Sequence, residues 1–125
     1  MSAPKILIVE DNALNMKLFN DVLESQGYRV LQANEGSIVF NIVREHRPDL
    51  IIMDIQLPDI SGLDVTKQLK KDESLREIPV VAVTAFAMHG DETRIRESGC
   101  EDYITKPICL TTFLEAIGGL LASRP

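Results

Sequence analysis

Four short apolar runs in this chain each end in a residue with chemistry to offer. Ile6 to Val9 is followed by Glu10 and Asp11, Leu50 to Met53 by Asp54, Val80 to Val83 by Thr84, and Tyr103-Ile104-Thr105 by Lys106. Three carboxylates, a hydroxyl and an ammonium at one place would suit phosphoryl transfer. An aspartate attacks phosphorus when a metal and neighbouring cations drain charge from the transferring group, and the product is an acyl phosphate. Asp54 is the candidate nucleophile. Mg2+ takes about six oxygens and keeps several of them as water, so two or three carboxylates plus a carbonyl suit it. Asp11 and Asp54 would be direct ligands, Glu10 a direct or water-mediated one, and the backbone carbonyl of Gln56 the third protein oxygen. Mn2+ is expected to substitute. Carboxylates this close repel one another, so at least one pKa should be raised until a cation arrives. Lys106 would set a positive charge against the phosphoryl oxygens, and the Thr84 hydroxyl would donate a hydrogen bond to another of them.

The elements that must position these residues are legible in the patterning. An unbroken run such as Leu50 to Met53 predicts a strand buried on both faces, the signature of a parallel sheet. Helical segments alternate with the strands. Asn12 can cap a helix from about Ala13 to Gln26, with Leu14, Leu18, Phe19, Val22 and Leu23 at helical spacing and Gly27 as a left-handed stop. Tyr28 to Ala33 predicts the second strand. A helix from about Glu35 to His46 carries Ile38, Val39, Ile42 and Val43, and Pro48 prevents its continuation. Ser61-Gly62-Leu63-Asp64 resembles a capping box, opening a helix to about Lys71 with Leu63, Val65 and Leu69 inward. Asp72 to Glu77 is charged enough to be a loop. The next helix, about Asp91 to Ser98, has little to bury beyond Ile95 and should be mobile. The last, about Leu110 to Leu121, shows Leu110, Phe113, Leu114, Ile117, Leu120 and Leu121 as its stripe, weakened late by Gly118 and Gly119. Five strand-helix units predict an α/β fold, a doubly wound, flavodoxin-like five-stranded parallel sheet of order 2-1-3-4-5. In such sheets ligands bind beyond the carboxyl ends of the strands, which is where all the reactive residues fall.

Composition excludes several alternatives. A chain of 125 residues, 45% hydrophobic and 26% charged, is expected to be one globular domain, residues 1–125, without room for an output domain. Met1 to Pro4 and Ser123 to Pro125 read as frayed ends. No apolar run approaches the roughly 18 residues of a membrane span, and Met1 to Lys5 lacks the layout of a signal peptide, so a cytoplasmic location without membrane insertion is expected. Nineteen acidic residues against thirteen basic leave a net charge of −6, which disfavours nucleic acid as a partner. Cys100 and Cys109 have neither a zinc-ligand spacing nor a disulfide framework around them and read as small, buried or half-buried hydrophobes. His46 and His89 read as surface residues.

Singly, each reactive residue has a commonplace reading. Acids at strand ends cap helices, threonines sit in turns, and lysines decorate surfaces. Tyr103 could simply fill core. Leu14 and Met16 could be core, or the exposed one a docking contact for a partner helix. Arrival at four strand ends on one edge of the sheet is what makes coincidence the poorer account.

Glu10-Asp11, Asp54 before Ile-Gln-Leu-Pro, Ser61-Gly62, Thr84-Ala85 and Lys106-Pro107 together resemble the receiver domain of two-component response regulators over essentially the whole chain. Within that family, Glu10-Asp11-Asn12, Asn15-Met16-Lys17-Leu18 and Val83 to Met88 resemble single-domain regulators of bacterial cell division. The resemblance implies a phosphoacceptor switch rather than a turnover enzyme. Asp54 would take phosphate from a histidine kinase, with phosphatases, a histidine phosphotransfer protein and a downstream protein effector as further partners. The protein would be a monomer, with a phosphorylation-driven dimer as the alternative. It also implies a cis Lys106-Pro107 bond aiming Lys106 over the site, and a switching role for Tyr103 with Thr84. The family often has Asp where Glu10 stands, which leaves the inner- or outer-shell role of Glu10 open. Two rival readings remain. Mg2+-dependent phosphohydrolases with an aspartyl-phosphate intermediate place a second Asp two residues after the nucleophile, where this chain has Gln56. A degenerate receiver acting only as a docking module would not need Asp54, Thr84 and Lys106 together.

Overall fold

The computed structural model describes residues 3–85 and 89–122; Phe86 to Met88 of the quoted motif, and most of the expected frayed ends, lie outside the described residues. Strands β1 (Lys5–Val9), β2 (Arg29–Ala33), β3 (Leu50–Asp54), β4 (Val80–Thr84) and β5 (Asp102–Thr105) alternate with helices α1 (Ala13–Ser25), α2 (Val39–His46), α3 (Gly62–Lys71), α4 (His89–Glu97) and α5 (Leu110–Ala122). The strands form one all-parallel sheet in the order β2-β1-β3-β4-β5. This is the expected doubly wound topology.

Alternation along the central strands splits the core into two halves. Leu7 and Val9, Ile51 and Met53, and Val80 and Ala82 join Val39 and Val43 of α2, Leu63, Val65 and Leu69 of α3, and Ile95 of α4. Their neighbours Ile6 and Ile8, Leu50 and Ile52, and Val81 and Val83 join Met16, Phe19 and Leu23 of α1 and Phe113 and Ile117 of α5. Side chains two apart share a face of a strand, so an unbroken apolar run feeds both halves at once. The Phe19 and Phe113 rings stack at 5.3 Å and tie α1 to α5.

Several boundaries and faces differ from expectation. The second helical segment opens with a 3-10 turn, Gly36–Ile38, and α4 begins at His89 rather than Asp91. On α1 the buried row is Met16, Phe19 and Leu23, while Leu14 is 78% exposed and Leu18 44% exposed. The helix carries two apolar rows, and only one of them can face the sheet. Leu110 is likewise exposed, at the first position of α5. Cys109 is exposed, contrary to the reading of both cysteines as buried or half-buried, because it precedes α5; Cys100 is buried. Asn12 caps α1 as expected, its side-chain oxygen accepting the Asn15 N–H at 2.9 Å.

Candidate functional site

Sheet register brings the reactive residues together. Val9 pairs with Met53, so Glu10 and Asp54 leave adjacent strands at the same level. Asp54 pairs with Val83 and Thr84 with Thr105, which places Thr84 and Lys106 along the same edge. The Lys106 N–H donates to the Thr84 carbonyl at 2.8 Å, extending the β4–β5 ladder by one bond, and the Lys106-Pro107 peptide is cis. Glu10 is likewise fixed through its backbone, its N–H donating to the Ala33 carbonyl at 3.0 Å.

Glu10 and Asp54 are buried and Asp11 is exposed, and one carboxylate oxygen from each lies within 4.8 Å of the other two. Lys106 Nζ reaches into this cluster, 3.3 Å from Asp54 Oδ2 and 3.4 Å from Glu10 Oε1. The other Asp54 oxygen, Oδ1, accepts the Gln56 N–H at 2.9 Å. Thr84 is buried at the end of β4. The structure thus gathers Glu10, Asp11, Asp54, Gln56 and Lys106, with Thr84 at the end of the adjacent strand. Tyr103 lies one strand further out, half-buried against the α2–α3–α4 half of the core, with the Arg96 guanidinium 5.7 Å from its ring centroid. Leu14 is exposed on α1 and Met16 is buried, so any docking role passes to Leu14.

The electrostatics follow from crowding. Burial pushes the Glu10 carboxyl up to about 7, and a hydrogen bond with Asp54 and the Asp54 charge push the same way against Lys106 and the Asn12 N–H. Burial would lower the Lys106 pKa, but the negative charges of Asp54 and Glu10 outweigh it and raise it. Hard oxygen donors of concentrated negative charge, with a cation leaning in from one side, fit a small divalent metal such as Mg2+.

One residue of the site had been read from the sequence as part of a helix cap and of the family resemblance, without a role at the site. Gly62, the first residue of α3, sits so close to the Asp54 carbonyl oxygen that a Cβ there would collide with it and crowd the Ile55 backbone. The Gly62 N–H donates to the Ile55 carbonyl at 2.9 Å, returning the chain to the end of β3. A glycine at a helix start preceded by a good capping serine was the available signal, since the cap itself does not require it.

A parallel sheet with an acidic cluster and a lysine at its carboxyl edge is the arrangement of a phosphorelay receiver, and the comparison of sequences agrees. The response regulator receiver domain family matches residues 6–118, and this chain belongs to it. It is 60% identical over 116 residues to the polar-differentiation response regulator DivK of Brucella anthropi, covering 93% of this chain and 94% of that one. DivK of Brucella ovis matches with the same identity and coverage. Among solved structures, the receiver domain of a signal transduction histidine kinase from Syntrophus aciditrophicus superposes with a TM-score of 0.91 at 33% identity, covering 98% of this chain and 95% of that one. The receiver domain of a sensor histidine kinase from Pseudomonas aeruginosa, which holds a magnesium ion in its active-site cleft, gives 0.90 at 31% identity, covering 98% of this chain and all of that one (100%).

Proposed function

We propose that Asp54 is the phosphoacceptor of a switch that signals through its own surface. A carboxylate oxygen of Asp54 attacks the phosphorus of a phosphohistidine on a kinase or phosphotransfer protein. The new O–P bond forms as the N–P bond breaks, and the imidazole leaves with the bonding pair and takes up a proton. Lys106 places its charge beside the incoming phosphoryl oxygens, and Thr84 donates a hydrogen bond to one of them. Glu10, Asp11, Asp54 and the Gln56 carbonyl would hold Mg2+, or Mn2+ in its place, which when bound neutralises charge on the transferring group. The observation that carries this reading is the burial of Asp54 with Oδ2 only 3.3 Å from Lys106 Nζ, inside a 4.8 Å cluster of three carboxylates.

The output is protein contact. The phosphoryl group draws the Thr84 hydroxyl inward, the Tyr103 ring follows into the space behind β4, and the face made by α4, β5 and α5 changes shape. Such coupling is worth about 1–3 kcal/mol, so part of the unphosphorylated population is already switched. Likeness to the polar-differentiation regulators, over 94% of the length of one of them, supports a role in cell-division or polarity control in the cytoplasm, opposite histidine kinases, phosphatases and an effector protein. Among the described residues no helix is long and apolar enough to cross a membrane, which is compatible with that location. The protein is a switch and not a turnover enzyme, and acts as a monomer.

Asp54→Asn is the test. The amide is nearly isosteric but not an effective nucleophile here, so intact-mass measurement after treatment with a small phosphodonor and Mg2+ should show one added phosphoryl on the wild type and none on the variant. A phosphoryl retained by the variant would move the acceptor elsewhere, and continuous phosphate release would make the protein a hydrolase.

A further inference from the structure

The loop from Ile55 to Ser61 carries the acceptor strand into α3, and its two ends are fastened. The Ile55 N–H donates to the Val83 carbonyl at 3.1 Å, and the Gly62 N–H returns to the Ile55 carbonyl at 2.9 Å. Midway, Asp59 reaches to the other side of the site. Its Oδ1 accepts the Gly36 N–H and its Oδ2 the Ser37 N–H, each at 2.9 Å. Both N–H groups open the 3-10 turn before α2, where backbone donors have no partner within the helix, and hydrogen bonds to an ionised carboxylate are the strong kind. The contact is sterically close as well, because a Cβ on buried Gly36 would collide with Ile60 Cγ2 beside Asp59. These two N–H bonds hold the Asp59 carboxyl below its ordinary pKa.

We infer that Asp59 is a positioning residue for cation binding, cross-linking the two backbone segments that support the acidic cluster. On one side of the clamp, the Gln56 N–H holds Asp54 Oδ1. On the other, three residues before Gly36, the Ala33 carbonyl takes the Glu10 N–H. The clamp therefore closes a circuit from Asp54 through the loop to Gly36 and Ala33 and back to Glu10. Opening it removes the hydrogen bonds that join the 55–61 loop to the Gly36 segment and leaves its middle held by the apolar contacts of Leu57 and Ile60 alone, so the Gln56 backbone samples more positions and the cluster is less ready for a cation.

The inference rests on the proposed reading of the Asp54 site, and the experiment separates the two. Mg2+ affinity is measured by titration calorimetry for wild type, Asp59→Ala and Asp59→Asn, with amide exchange of Gly36 and Ser37 followed in the metal-free proteins. Asp59→Ala should bind Mg2+ about tenfold more weakly, the scale of losing an outer-shell support. Asp59→Asn, which keeps one acceptor oxygen, should be weakened by about threefold, an intermediate value on the same scale. Both should exchange those two amides faster than wild type. Faster exchange with unchanged Mg2+ affinity would make Asp59 a cap for the α2 turn and overturn the inference. If Asp59→Ala does not fold, Asp59→Asn decides by the same criterion. A wild type that binds no Mg2+ would instead refute the site itself, and the inference with it.

Discussion

Helices α3 and α4 cover the same half of the core and are held to it very differently. In α3, Gly62, Leu63, Val65, Thr66 and Leu69 are buried. Thr66 Oγ1 also donates to the Gly62 carbonyl at 2.9 Å, and Lys70 Nζ ties the helix to the Arg76 and Ile78 carbonyls and to Glu101. In α4, Ile95 is the one buried side chain among those described, Glu92 to Glu97. Apolar burial contributes about 25 cal/mol per Å2, so a helix with three inward apolar side chains is fastened far more firmly than one with a single isoleucine. The firm helix begins against the Asp54 carbonyl, and the weakly held one follows Thr84. In the proposed reading, chemistry that depends on sub-ångström placement sits on the stiff side, and a change of surface that must cost little sits on the other.

Truncating the anchor on each side is the most forceful way to break this contrast. Leu69→Ala should lower global stability by about 2–5 kcal/mol, because the cavity lies in the shared core and the sheet cannot collapse into it. Ile95→Ala should act mainly locally, with α4 amides exchanging at lower opening cost while amides of β1 and β3 lose less than in Leu69→Ala. Native-state hydrogen exchange on both variants reads this directly. If α4 amides in Ile95→Ala open only with the whole molecule, and global stability falls as far as in Leu69→Ala, the two helices are equally integral and the contrast is wrong.

A second difference is in response to pH. Beside Asp54, Glu10 has a folded pKa of about 7 against an ordinary 4.5. The folded, metal-free protein therefore binds more protons than the unfolded chain across that window. The Glu10 contribution to stability is fully present below pH 4.5 and is lost as pH rises through about 7. Cation binding has the opposite sign, because the proton on Glu10 must leave. Mg2+ affinity should rise with pH by up to about tenfold per unit, levelling above about pH 7. Calorimetric titrations in buffers of different ionisation enthalpy would also count the proton released. An affinity flat from about pH 5.5 to 7.5 would mean that Glu10 is already ionised beside Asp54.

The stiff side was the more legible of the two in the sequence. Apolar runs ending in Glu10-Asp11, Asp54 and Thr84 announce buried parallel strands, and parallel strands bring their carboxyl ends to one edge, so the cluster could be assembled before any side chain was placed. What escaped was whatever depends on direction or distance. Leu14 and Leu18 form a second apolar row on α1, and periodicity does not say which row faces the sheet. Cys109 looks like any small hydrophobe until α5 is seen to begin after it. Asp59 accepts N–H groups 22 and 23 positions earlier, a bond that leaves no trace in spacing. The close approach of Gly62 to the Asp54 carbonyl likewise appears only when the loop between them is folded back.

The smallest expected effect is the one that bears most closely on how the weakly held side stores the signal. The Arg96 guanidinium lies 5.7 Å from the centroid of the half-buried Tyr103 ring, and Glu92, one turn earlier on α4, holds it there at 3.5 Å. An exposed cation–π contact of this kind is worth about 0.5–1 kcal/mol. In the proposed switch, Tyr103 leaves this position when Thr84 is drawn towards the phosphoryl group, so the contact favours the unphosphorylated state by that amount. Removing it shifts the resting balance towards the switched state by about 2- to 5-fold, since a contact moves a population only by its differential stabilisation of the two states. Arg96→Ala should therefore raise the switched fraction without phosphate and, by reciprocity, make phosphorylation of Asp54 somewhat more favourable, still at one phosphoryl per chain. The chain has two tyrosines, Tyr28 and Tyr103, so the ring resonances of labelled tyrosine report on the balance with no partner present. In Arg96→Ala the Tyr103 resonance should lie part of the way towards its position in phosphorylated wild type. A resonance that stays with the unphosphorylated protein would show that the guanidinium does not hold the ring, and would move the stored free energy from the α4–β5 contact back to the Thr84 side of β4.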